Sequence, residues 1–198
     1  MCCLPPETGG WFQKEINSID DFKDLKMRIY GLGRNILKNL GAETIFLPQN
    51  KLIPAIKLGL INSVEFSTIE IDEFVELPQY MKYWYTPSWN QLSTVLYFVM
   101  NLKQWQSLTS KQQNLIKLLM KENMYSNYIS SNAVQILYLE KYKSQLRTFP
   151  DSVLEGMREA WFQYLNEPEN EETKLEYEKI INYGVQYEAY DNIMKKNV

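Results

Sequence analysis

The sequence predicts an α/β protein whose first half alternates strands with helices and whose second half is mainly helical. Short apolar runs and helical patterns follow one another as far as Phe66, in the β-α-β-α-β order that favours a parallel sheet covered by helices. An apolar i, i+3, i+4 rhythm uninterrupted by proline or glycine then runs through Thr109–Leu146. Two further helical patterns close the chain.

The elements can be justified in turn. Ser18-Ile-Asp-Asp21 has a helix N-cap followed by acidic residues in the first turn. Leu25–Tyr30 reads as a strand and Gly31–Leu40 as a helix closed by Gly41. Glu43–Leu47 is a second strand, stopped by Pro48. Gln49–Leu58 is a helix with Leu52, Ile53 and Ile56 on one face, closed by Gly59, and Asn62–Phe66 is a third strand. Ile69–Met81 has a helical pattern that Pro78 should interrupt. The aromatic stretch Tyr83, Trp84, Tyr85, Trp89 precedes Ser93–Met100, the strongest strand signal in the chain. Thr109 and Gln112 form a capping box that opens the long helix, about 50 Å from end to end at 1.5 Å per residue. That is longer than a small lobe is wide. Ser152 and Glu155 form a second box, Glu167–Glu172 an acidic solvated turn, and the last helix runs from about Thr173 to Lys196.

Composition narrows the function classes. With 198 residues, 45% hydrophobic and 23% charged, the chain can build one or two domains with a real core. A net charge of −3 gives no nucleic-acid surface. The absence of histidine excludes Ser-His-Asp triads, Cys-His dyads and His-ligated zinc. Cys2 and Cys3 are adjacent and build no disulfide framework. The longest strongly apolar stretch is far short of a bilayer span. Met1–Gly10 lacks both the basic and the apolar region of a secretory signal, so by itself it leaves the chain in the cytoplasm.

Few local patterns carry chemistry. Gly31-Leu-Gly33 follows a strand and opens a helix, but Ile36 stands where a dinucleotide fingerprint needs its third glycine, so a tight turn is the plainer reading. Arg28 lies in a strand among apolar neighbours. It is either a buried guanidinium suited to a carboxylate or an arginine paired at the surface. Glu65 and Phe66 end a strand, where open α/β sheets collect ligands, although Glu65 could equally serve a helix cap. Trp84 and Trp89 suit core packing at least as well as ligand contact.

Four segments taken together resemble a known family: Gly9-Gly10-Trp11-Phe12-Gln13-Lys14-Glu15-Ile16, Leu25-Lys26-Met27-Arg28-Ile29, Val64-Glu65-Phe66 and Pro87-Ser88-Trp89-Asn90-Gln91. Their order and spacing are similar to those of the substrate-binding subunits of TRAP transporters, the DctP-like family, in the branch that binds 2-oxo acids and related monocarboxylates. The resemblance runs from about Glu7 to the C-terminus. It implies a periplasmic-binding-protein-like (type II) α/β fold of two lobes joined by hinge strands and a long helix spanning both. It also implies an N-terminally truncated member, because most of the family's first lobe and its signal peptide precede the G-G-W-F segment. In those terms residues 1–10 are an irregular remnant and 11–66 form lobe two. Residues 67–92 are a returning part of lobe one, 93–146 the hinge strand and spanning helix, and 147–198 the C-terminal helices.

The resemblance further implies a site. Arg28 would clamp the substrate carboxylate, and Phe66, Trp89 and Gln91 would contact the substrate. Glu7, Glu65, the Phe66 carbonyl and Gln91 would hold a cation, sodium or calcium, that bridges to it. Three positions depart from the family: Phe66 replaces Trp, Glu7 replaces Gln and Gln91 replaces Glu. The last two exchanges are opposite, so a site lined by both would keep its carboxylate count and its hard oxygen donors. The implied function is capture of a small carboxylate in the periplasm and delivery to membrane permease subunits, without catalysis, with a homodimer through the C-terminal helices. The competing reading is a helical interaction or dimerisation module without ligand. An enzyme using Glu65 and Glu7 as acid and base lacks any nucleophile or cofactor motif.

Overall fold

A computed structural model describes residues 2–195; Met1 and residues 196–198, including the predicted end of the last helix at Lys196, lie outside the described residues. The chain runs through β1 (Cys2–Leu4), β2 (Gly10–Phe12), a 3-10 turn (Ile19–Asp24), β3 (Lys26–Arg28), α1 (Gly33–Asn39), β4 (Glu43–Ile45), α2 (Gln49–Lys57) and β5 (Ser63–Val64). It continues through α3 (Ile69–Phe74), α4 (Leu77–Tyr80), β6 (Tyr83–Tyr85), β7 (Thr94–Leu96), α5 (Leu102–Ser107), α6 (Ser110–Lys141), β8 (Leu146–Arg147), α7 (Asp151–Leu165), a second 3-10 turn (Pro168–Asn170) and α8 (Glu171–Lys195). No helix among the described residues is long and apolar enough to cross a membrane.

The three strands of the β-α-β-α-β unit are parallel, in the order β4-β3-β5. The sheet then continues, as the sequence did not predict, through antiparallel β2 and β6 to β8, six strands in all. β2 is too short to show a period, yet all its residues are buried. Its entry depends on glycine. Gly10 has φ +121°, and a Cβ on Gly9 would lie 3.0 Å from both Phe149 and the Pro87 carbonyl oxygen.

Side-chain alternation along these strands sends neighbours to opposite faces. Trp11 and Trp84 join Leu52, Val64, Ile69 and Leu77 on one face. Phe12 and Tyr85 join Phe22, Met27, Leu37 and Phe149 on the other. The helices α2, α3 and α4 cover the first face. The helices α1 and α7 cover the second.

Four sequence expectations are corrected. The helical pattern of Ile69–Met81 breaks at Glu76 (φ +64°), not at Pro78, which sits in the first turn of α4 where its missing N–H costs nothing. Only Thr94–Leu96 of Ser93–Met100 is a strand, and it pairs outside the main sheet with Cys2–Leu4, itself expected to be irregular. The helix α7 starts at Asp151 with Pro150 as N-cap, so Ser152 lies inside it rather than capping it. The long helix ends at Lys141, short of the expected limit at Leu146, and Leu146–Arg147 form an edge strand beside β6. The Thr109–Gln112 box is present as predicted, with the Thr109 N–H donating to Gln112 Oε1 at 2.9 Å.

None of the 32 residues of α6 is buried. Only its end reaches the core, through Tyr138, Leu139 and Tyr142, with Lys141 and Tyr142 both donating to the Glu73 carboxylate of α3. Leu118 at 63% and Ile129 at 66% exposure are typical of its apolar residues, and Tyr97, Phe98 and Val99 beside it are exposed too. So much contiguous apolar surface drives association. The isolated chain should sediment as oligomers, and the double change Leu118→Lys with Ile129→Lys should raise the monomer fraction. A monodisperse wild-type monomer by light scattering would contradict this.

Candidate functional site

The carboxyl ends of β3 and β5 open into a cavity of about 660 Å³, lined by Glu7, Arg28, Glu65, Phe66, Asn90 and Gln91 together with Tyr30 and Phe46. Five of the six sequence candidates therefore meet in one place. Trp89 does not. Its indole Nε1 donates to the Gly9 carbonyl at 3.2 Å and its ring lies against Gly33, where an added Cβ would come within 3.2 Å of it. It supports the loop that carries Asn90 and Gln91 and faces a separate apolar cavity beside α7.

Strand alternation explains Arg28. Met27 and Ile29 enter the core cluster under α1, so Arg28 between them faces the opposite way. It is 7% exposed. Its Nε donates to the Leu47 carbonyl at 3.1 Å and its Nη1 to the Glu65 carbonyl at 2.6 Å. The guanidinium carbon lies 4.8 Å from the Phe66 ring centroid and 5.9 Å from that of Phe46. Burial lowers the pKa of Arg28, and the charges of Glu65, Asp72 and Glu7 oppose that shift. The group stays a cation, with part of its planar fork turned to the cavity.

The segment before β2 and the loop after β6 are joined at the other side. The Glu7 N–H donates to the Gln91 carbonyl at 3.1 Å, and Gln91 Nε2 donates to Glu7 Oε1 at 2.8 Å. The Gln91 amide also donates to the Thr94 hydroxyl. Glu7 and Glu65 interact directly. Burial, then Glu65, pushes the Glu7 carboxyl up to about 8. Burial also raises Glu65, against hydrogen bonds from Glu7, Asn90 and the Tyr30 N–H and the charge of Arg28.

These residues fit a hard cation. Two carboxylates, an amide and a backbone carbonyl at Phe66 are oxygen donors of the type that sodium and calcium take. Two acids raised by burial, Glu7 by Glu65 as well, form a place where positive charge is favourable.

Sequence reasoning missed Asn90 and Tyr30 as partners of Glu65, and it missed Asp72 beneath the site. Asp72 is fully buried and accepts from the Thr8 hydroxyl, the Trp11 indole N–H and the Ser67 backbone N–H. The signal available was an aspartate three residues after Ile69, on the apolar face of a helical pattern.

The chain is similar in sequence and fold to known proteins. The family model for bacterial extracellular solute-binding protein, family 7 (DctP), matches residues 7–172. A monocarboxylate 2-oxoacid-binding periplasmic protein of Nostoc sp. is 29% identical over 164 residues, which is 81% of this chain and 45% of that protein. The crystal structure of a TRAP periplasmic solute binding protein from Pseudoalteromonas atlantica, with bound sodium and pyruvate, is 32% identical with a TM-score of 0.81, covering 96% of this chain and 59% of that one. A counterpart from Colwellia psychrerythraea, with bound calcium and pyruvate, is 30% identical with a TM-score of 0.81, covering 97% of this chain and 60% of that one. The chain thus spans about three-fifths of those solved relatives and under half of the Nostoc protein. A family match over residues 7–172, most of the chain, makes this chain a member of the DctP family of bacterial extracellular solute-binding proteins.

Proposed function

We propose that the chain serves as the solute-binding subunit of a TRAP-type transporter. It would capture a small 2-oxo or hydroxy acid in the periplasm and deliver it to membrane permease subunits without transforming it. The observation that supports this most is the buried Arg28 guanidinium facing Glu7, Glu65 and Gln91 across one cavity. Arg28 offers a carboxylate two charge-assisted N–H donors. Glu7, Glu65, the Phe66 carbonyl and the Gln91 amide oxygen would hold sodium or calcium, which when bound supplies the positive charge that brings a second substrate oxygen to this side. Phe66 forms an apolar wall and already stacks under the arginine.

On this reading residues 11–66 form one lobe, and 67–92, expected to return to the other, belong with the first instead, because β6 joins its sheet and α3 and α4 join its core. Residues 93–146 connect the lobes and 147–198 close the structure. A site shared between two lobes is part of the proposal, since the chain spans only about three-fifths of the solved relatives. So is a homodimer through the C-terminal helices, supported by exposed Leu175, Ile180, Tyr183 and Val185 on α8. The exposed face of α6 favours the alternative, an interaction module without ligand. That reading predicts no calcium-dependent carboxylate binding at all.

Calorimetry with pyruvate in the presence of calcium tests the clamp. Arg28→Lys replaces a fork by a point charge and should weaken binding by roughly ten- to over a hundredfold, from about 1.5–3 kcal/mol for a charge-assisted hydrogen bond. Unchanged affinity would remove Arg28 from the site.

The acids give a pH signature. Glu7 has a folded pKa of about 8 against an ordinary value of 4.5. The folded, cation-free protein therefore keeps a proton that the unfolded chain has released, and its stability falls as pH rises between those two values. A cation must displace that proton, so calcium affinity should rise with pH up to about 8 and level off, with proton release on binding. Glu7→Gln should flatten the curve. A pH-independent wild-type affinity would contradict the assignment.

A further inference from the structure

Asp72 lies beneath the cavity, not in its lining, and both its carboxylate oxygens are engaged. Oδ2 accepts from Thr8 Oγ1 at 2.9 Å and from Trp11 Nε1 at 2.7 Å, and Oδ1 accepts from the Ser67 N–H at 3.0 Å. The Thr8 N–H in turn donates to the Ser67 carbonyl at 2.9 Å. Thr8, Ser67 and Asp72 thus close a ring of hydrogen bonds between segments some sixty residues apart in sequence, anchored on Trp11 of β2.

Each outer member of that ring is one peptide from a cavity residue. Thr8 follows Glu7, and Ser67 follows Phe66, which follows Glu65. Consecutive Cα atoms are a fixed ~3.8 Å apart, so a small shift of Thr8 or Ser67 is passed directly to the neighbouring donor. The bond from Ser67 reaches the residue before the Thr68 N-cap of α3, so helix capping does not account for this acid. The second oxygen is spent on partners far away in sequence, and no cation stands among its hydrogen-bond partners.

We propose that Asp72 is a positioning residue of the binding site, clamping the Glu7 and Phe66 segments in register so that their oxygens present one cation-binding geometry. This rests on the function proposed above. The site needs an accepting oxygen at both positions here, because three donors converge on the two oxygens. Asparagine, of the same size, must set its NH₂ against at least one of them. Thr8→Val removes a different edge of the ring and leaves the carboxylate in place, whereas Thr8→Ser keeps that edge.

The test titrates calcium into the wild-type chain and into Asp72→Asn, Thr8→Val and Thr8→Ser, and follows amide hydrogen exchange in the metal-free proteins. In Asp72→Asn and Thr8→Val, calcium affinity should fall about ten- to a hundredfold, as for lost supports of metal ligands. Exchange at Thr8 and Ser67 should quicken while Met27 and Val64 keep their protection, and Thr8→Ser should restore both. Undiminished calcium affinity in a folded Asp72→Asn or Thr8→Val would overturn the proposal. So would a loss accompanied by faster exchange throughout the sheet, which marks a purely structural role. If Asp72→Asn does not fold, Thr8→Val decides. If the wild-type chain binds no calcium, the site reading fails, and this inference fails with it.

Discussion

A guanidinium at 7% exposure on an apolar strand is the constraint around which this structure is arranged. A buried charge is destabilising unless dipoles and opposite charge surround it. The compensation comes from three directions. Backbone carbonyls of Leu47 and Glu65 take two of its N–H groups, Phe66 and Phe46 cover its faces, and the acids Glu7 and Glu65 stand opposite. These groups come from the connections after β4 and β5 and from the segment before β2, so the site exists only once those strands are paired in register.

The inserted strand β2 matters for the same reason. It enters between β5 and β6, antiparallel to both, and so carries residues 7 and 8 across the carboxyl ends of the parallel strands. Glu7 is thereby set beside Glu65, from which it is distant in sequence. The loop after β6 adds Asn90 and Gln91 to the same rim, fastened by the Glu7–Gln91 hydrogen bonds and by Trp89 on Gly9. Glu7 and Gln91, which resemblance alone pairs as opposite exchanges, are thus in direct contact.

Much of this could be read from residues alone. The β-α-β-α-β unit was legible because period and punctuation agree there, with Gly41 and Gly59 closing the helices where predicted. The capping box at Thr109 named the start of α6 to the residue. The strand β2 was not legible, because three residues show no period and its strand character comes from pairing on both sides. The strand signal of Ser93–Met100 misled for the converse reason: apolar, β-branched residues report a surface to be covered, and here most of that surface is exposed. Glu65 and Phe66 were legible as strand-end residues, and Arg28 as a cation inside an apolar strand. Glu7 and Gln91 were reached through resemblance alone, and Asp72 escaped because a single acid in an apolar helix face has no local partner to announce it.

The most direct test of the central claim is a crystal structure of the chain grown with calcium and pyruvate. The account predicts the pyruvate carboxylate on the Arg28 guanidinium, and an anomalous calcium peak at about 2.3–2.6 Å from oxygens of Glu7, Glu65, Phe66 and Gln91. Pyruvate and calcium bound elsewhere, with Arg28 still facing an empty cavity, would contradict it.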